Sequence, residues 1–221
     1  MDLKKFRNKY DLELIPASHA KINLGLLVWD PIIGKPKFEH PGMPNHIFNA
    51  FYDCGLLSES EYKGLLKEIG KSDLVPAAFA ETSLELDVDM LGSLDYPLVT
   101  TLKGSLELSK VKKFSFGKLK AAIMSNLMLV QIDDQLERMK KKQWKEYDGK
   151  VRRAYMITEL YYGSINMVVD KEWEAELDLE LKKHAIAPEA KASLSKSTQY
   201  EFSHKKVPFA MRLEKVRKFN G

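Results

Sequence analysis

The 221-residue chain has no uninterrupted apolar run of about 18 residues, the length expected of a membrane-spanning helix. Its opening Met-Asp-Leu-Lys-Lys-Phe-Arg-Asn-Lys has no apolar core of a secretory signal. The chain therefore reads as a protein made in soluble form in the cytoplasm. Its single cysteine, Cys54, excludes an intramolecular disulfide framework and fits a reducing compartment. At the end of a predicted helix, Cys54 reads as a small apolar residue.

The chemistry of enzymes is also missing. His19, His40, His46, His184 and His204 are scattered, and none pairs four residues apart in a metalloprotease pattern, so no metal site is expected. There is no Gly-rich phosphate loop and no Gly-x-Ser-x-Gly elbow. A carboxylate pair for acid–base work could hide among the acids of the chain, but their regular alternation with apolar residues argues against it. No catalytic residue, cofactor or enzymatic activity is expected. Trp144 between Lys142 and Lys145 raises nucleic-acid binding, but a solvated basic face explains it as well, and no nucleic-acid partner is expected.

What is present is an ordinary globular composition, 44% hydrophobic and 30% charged, enough for one buried core and a single domain over residues 1–221. The net charge of +4 hides a segregation of signs. Bases crowd the start (Lys4, Lys5, Arg7, Lys9), the stretch from Arg138 to Lys145, and the end, whereas residues 81–89 and 172–180 carry acids and no base.

Leu3, Phe6 and Tyr10 predict a short basic amphipathic helix that covers an edge of the fold or lies on an anionic membrane. Residues 31–44, with four prolines and two glycines, predict a loop, after which Asn45 caps a helix carrying Ile47, Phe48, Phe51 and Tyr52 that Gly55 stops. Ser58-Glu-Ser-Glu61 is a capping box opening a helix that buries Tyr62, Leu65, Leu66 and Ile69 before Gly70. Helical spacing is also predicted for Leu119, Ala122, Ile123, Leu127 and Val130, followed by a strand from Val151 that Gly163 turns into 165–169. A last strand is predicted within 207–219.

Two segments alternate with period two. In the first, Leu84, Leu86, Val88 and Met90 face away from Glu85, Asp87 and Asp89, and a return arm carries Leu102, Leu106 and Leu108. In the second, Trp173, Ala175, Leu177, Leu179 and Leu181 alternate with Glu172, Glu174, Glu176, Asp178 and Glu180, and the chain returns through Ala190, Ala192 and Leu194 towards Tyr200 and Phe202. Both predict long hairpins, and both arms of the second are near the roughly 9 to 11 residues that cross a bilayer as tilted strands. A half-buried antiparallel sheet alternates in the same way. The one-signed acidic face favours a pore lumen, because like charges on one strand face repel. Lys4, Lys5, Arg7, Lys9, Arg152 and Arg153 are the expected lipid-headgroup contacts. Leu177→Asp or Leu179→Asp is expected to abolish membrane lysis and leave the fold intact.

Ala154-Tyr-Met-Ile-Thr-Glu159, the order of segments from 165–169 through 172–181, Ala192-Ser-Leu-Ser-Lys-Ser-Thr198, Tyr200-Glu-Phe202, Val207-Pro-Phe209 and Met211-Arg-Leu213 resemble the pore-forming domain of the gasdermin family. Upstream, Leu84-Glu-Leu-Asp-Val88 and Lys110-Val-Lys-Lys-Phe-Ser-Phe116 resemble that domain's first transmembrane hairpin and the strand running into the next helix. The resemblance covers about 82–219. It implies an α+β fold, a twisted and largely antiparallel sheet with peripheral helices in a pre-pore state. It also implies homo-oligomeric rings on anionic lipid membranes, insertion of two hairpins per subunit, and cell lysis. The implied partners are that membrane and an activating protease or inhibitory partner. Three departures stand out: no inhibitory segment follows the last strand, so the chain is either processed or restrained from elsewhere; Asp2 occupies the place of a lipidated cysteine; and the helical segment at about 31–71 has no counterpart. The alternative is a non-lytic binding or regulatory module with an ordinary half-exposed sheet.

Overall fold

A computed structural model describes residues 3–15, 22–29, 37–77, 84–86, 110–140, 144–202 and 208–219. In chain order the elements are α1 (Leu3–Tyr10), β1 (Glu13–Leu14), β2 (Leu27–Val28), α2 (Ile47–Asp53), α3 (Glu59–Ile69), β3 (Val75–Pro76) and β4 (Leu84–Leu86). They continue with β5 (Val111–Ile123), α4 (Asn126–Lys140), α5 (Lys145–Val151), β6 (Tyr155–Asp170), α6 (Glu174–Lys183), β7 (Ala190–Ser193), β8 (Ser197–Phe202) and β9 (Ala210–Lys215). The fold is mixed α+β with a mostly antiparallel sheet and peripheral helices, its hydrogen-bonded strand order running β1-β9-β6-β5-β3. The chain divides into two compact units, one of Met1–Ala20, Pro76–Ala121 and Tyr161–Ala210, the other of Lys21–Val75, Ala122–Leu160 and Met211–Gly221.

In the first unit α1 forms as its spacing predicts, burying Phe6 against Tyr10 (centroids 5.0 Å apart). The helix ends where Asp11 turns left-handed (φ 54°) and its amide reaches the Arg7 carbonyl. The core gathers Phe114, Phe116, Ile165, Met167, Val169, Tyr200 and Phe202. Phe116 and Phe209 lie parallel, with centroids 3.8 Å apart. β4 pairs antiparallel with β5, Leu84 opposite Phe116 and Leu86 opposite Phe114. The other residues expected in the first hairpin (Asp87, Val88, Asp89, Met90, Leu102, Leu106, Leu108) lie outside the described residues.

Three expectations are overturned in this unit. Gly163 turns nothing: it sits inside the continuous β6, because a Cβ there would come within 2.9 Å of both the Gly117 carbonyl oxygen and Leu119 Cδ2. Residues 172–181 form no strand in this state. After a 3-10 turn at Lys171–Trp173 they become α6, which buries Leu177 and Leu181 and leaves Leu179 68% exposed. The reason is numerical: four is even, so strict alternation also places Leu177 and Leu181 one helical turn apart, and Glu, Ala, Leu and Lys all favour helix. The return arm is likewise not one strand. A turn, closed by the Leu194 amide on the Ser197 carbonyl, divides it into β7 and β8, paired with Ser193 opposite Thr198. β8 then pairs with β6, burying Thr198, Tyr200 and Phe202.

In the second unit β2 pairs with the start of β6, Leu27 opposite Met156. The capping box of α3 is present, Glu61 accepting from the Ser58 amide at 2.7 Å and Ser58 Oγ from the Glu61 amide at 3.3 Å. α3 buries Ile69 fully, whereas Tyr62, Leu65 and Leu66 are half-buried, and Tyr62 stacks on Tyr52. Cys54 is buried at the end of α2, as expected of an apolar residue there. Four boundaries differ from expectation. His46 caps α2 in place of Asn45, because its ring nitrogen accepts from the Phe48 amide. Leu119, Ala122 and Ile123 belong to β5; α4 starts only after Ser125, whose hydroxyl accepts from the Met128 amide. Its buried stripe is Met128, Ile132, Leu136 and Met139, leaving Leu127 and Val130 exposed. Residues 145–151 form α5, held by the Glu146–Lys150 pair at 3.0 Å, and the strand begins only at Tyr155. The final strand β9 is shorter than predicted and closes in a 3-10 turn at Val216–Lys218.

Candidate functional site

The residues singled out for the second hairpin lie in the first unit, within residues 171–202. α6 enters the core through Leu177 and Leu181 alone, and its acidic side is bound by polar groups of β7, β8 and the preceding turn. Glu174 is the hub. Its Oε2 accepts from Lys171 Nζ at 2.5 Å and from Thr198 Oγ1 at 2.6 Å, and its Oε1 lies 2.7 Å from Lys191 Nζ. Ser193 Oγ donates to the same carboxylate at 3.1 Å. One turn later Asp178 accepts from Lys191 Nζ at 2.5 Å and from the Tyr200 hydroxyl at 2.9 Å.

This network sets the ionisation of its members. Lys171, then Lys191 and Thr198, hold the Glu174 carboxyl well below the usual carboxylate range. Asp178, followed by Glu174, raises Lys191. Burial first and the Asp178 carboxylate second push the Tyr200 phenol up to about 12. Glu174 and Asp178 are thus partners of one lysine, an arrangement that clasps a helix onto a hairpin. Four further contacts extend it. Lys110 Nζ lies 3.4 Å from the Trp173 ring centroid and 3.5 Å from Glu176, and Glu180 faces Lys183 and His184 within α6.

The structure thus brings together Trp173, Glu174, Glu176, Leu177, Asp178 and Leu181 from the sequence reading, and it leaves Ala175, Leu179, Ala190, Ala192 and Leu194 exposed. The acidic face that looks unrelieved in sequence is met by cations from outside its own segment. Lys171, Lys191, Ser193, Thr198 and Tyr200 were not singled out as site residues. No signal in sequence marks Lys191, Ser193, Thr198 and Tyr200, because they reach α6 only through the pairing of β7 and β8, whereas Lys171 sits three residues before Glu174 and its local spacing could have found it.

The expected headgroup residues fall elsewhere. Backbone helix is described at Lys4 and Lys5, Arg7 is paired with Glu13, and Lys9 is exposed. Arg152 is a structural residue of the second unit. Its Nε meets both Asp148 oxygens at 2.8 Å and its Nη2 donates to the Leu136 carbonyl at 3.0 Å, joining α5 to α4, while Arg153 is exposed. Arg152 is therefore engaged by Asp148 and Leu136 in this state. Glu85 lies on β4. Among the described residues no three His, Cys, Asp or Glu side chains gather as a metal site, and no helix is long and apolar enough to cross a membrane. Comparison of the chain with family models, with curated proteins and with solved structures gives no match.

Proposed function

We propose that the chain permeabilises anionic membranes: subunits assemble into a ring and insert amphipathic hairpins that close a β-barrel, as in the gasdermin family it resembles, and the structure is the closed form before insertion. The observation that carries this is a surplus of pattern over need. Residues 173–181 alternate strictly, yet α6 uses only Leu177 and Leu181, and Leu179 stands 68% exposed. The packing of the helix gains nothing from an apolar side chain at 179, which stays in solvent. A barrel strand would use all five apolar positions against lipid and all four acids, Glu174, Glu176, Asp178 and Glu180, in an aqueous lumen. In this reading the clasp around Glu174 and Lys191 is what stores the first arm of the second hairpin. The chain resides in the cytoplasm before assembly and at the membrane afterwards.

The test is dye release from liposomes of phosphatidylglycerol and phosphatidylcholine, with mild acid and limited proteolysis as triggers, followed by electron microscopy. Release accompanied by rings supports the proposal. A stable monomer with no release under either trigger overturns it and leaves the non-lytic module.

A further inference from the structure

The second unit contains a cavity of about 440 Å³ that the membrane segment does not use, lined by Met43, Pro44, Asp53, Cys54, Trp144 and Tyr147. The Trp144 and Tyr147 rings meet at 64° with centroids 6.3 Å apart, forming two walls of a corner. Met43 and Pro44 supply an apolar wall, and the Tyr147 phenol and the Asp53 carboxylate line the same cavity. Among the described residues no cation pairs with Asp53. Burial, followed by the charge of Asp53, raises the Tyr147 phenol, which stays a neutral donor.

These groups select a ligand by exclusion. One carboxylate offers too few oxygens for calcium, which takes six to eight. A primary ammonium could place one N–H on Asp53, but the aromatic and apolar side chains leave its other two donors unpaired. Aromatic faces, a polarisable sulfur and one negative charge suit a cation with no N–H at all. We propose that this cavity binds a quaternary ammonium group, such as the trimethylammonium of choline. The site is separate in residues from the hairpin segment, so it stands whether or not the protein forms pores.

Titrating the full-length protein with tetramethylammonium chloride at constant ionic strength, observed by NMR at the Trp144 indole and the Met43 methyl, tests this. Saturable shifts are expected at both, and Trp144→Ala should weaken binding by about 2- to 30-fold. Asp53→Asn removes the charge, and it should weaken binding with the melting temperature preserved. Shifts no larger than those from sodium chloride, or undiminished affinity in Asp53→Asn, would overturn the proposal. Cosedimentation separates the sources. Capture on phosphatidylcholine vesicles that free choline reverses assigns a lipid headgroup, and binding of tetramethylammonium without such capture assigns a free organic cation.

Discussion

Gly25 lies so close to the imidazole of His46 that a Cβ on it would come within 2.7 Å of ring Cε1. The same glycine is left-handed (φ 82°), and its carbonyl accepts from the Ile47 amide at 2.9 Å. The ring's Nε2 donates to the Leu24 carbonyl at 2.9 Å, and its Nδ1 accepts from the Phe48 amide at 3.1 Å. Sequence alone shows none of this, because the contact joins residues 21 apart. Gly25→Ala must strain the backbone and displace the ring, so a loss of about 2–4 kcal/mol is expected. An unchanged urea midpoint would sink it.

His46 also makes stability depend on pH. Both ring nitrogens are satisfied only in the neutral form, and burial lowers its pKa from 6.5 to about 4, outweighing the opposing bond to Leu24. The unfolded chain then takes up a proton near pH 6.5 that the folded chain refuses until about pH 4. Stability is therefore complete above 6.5 and falls as the pH drops to 4, by on the order of 3 kcal/mol. His46→Asn keeps a capping acceptor and does not titrate. The difference in unfolding free energy between wild type and this variant should shrink over that window, and parallel pH profiles would refute the assignment.

Local signals were legible where chemistry and structure act within a few residues. Ser58 and Glu61 cap α3 as read, Phe6 anchors α1, and Thr198, Tyr200 and Phe202 alternate into the core. What was not legible depends on ambiguity or distance. The run 173–181 fits period two and the i, i+4 step of a helix equally, and only the core partners of Leu177 and Leu181 decide between them. Gly163 reads as a breaker until the approach of Gly117 is known. Residues 172–181 read as a strand and form a helix in this state, and the clasp is invisible in sequence because Lys191 meets Glu174 only through tertiary pairing.

If that clasp stores the hairpin, loosening it should speed insertion. Lys191 bridges two carboxylates on α6, and Lys191→Met removes both ion pairs while keeping the side-chain stem. Exposed pairs are individually weak, so loss of the two should make dye release faster by a factor of roughly 2 to 30. High salt should accelerate the wild type in the same direction and leave the variant nearly unaffected. Equal release rates for the two proteins at low salt would detach the clasp from the mechanism.

The clean test of the hairpin itself is at Leu179, and the structure changes which substitution to make. Leu177 is 1% exposed, so Leu177→Asp would bury a carboxylate in the core and damage the closed fold, contrary to the sequence expectation; its loss of lysis would say nothing about the membrane. Leu179 is 68% exposed, with Glu176 three residues before it and Lys182 and Lys183 three and four after, so an arginine there meets mixed charges in water. Leu179→Arg should leave the thermal midpoint of the monomer nearly unchanged, as surface substitutions do. On a barrel strand the same arginine would face lipid, at a cost of about 2–4 kcal/mol per subunit near the bilayer centre, repeated around the ring. Release should then be lost with vesicle binding preserved. Full release by a folded Leu179→Arg protein would show that residue 179 never meets the hydrocarbon and that the surplus alternation has another cause.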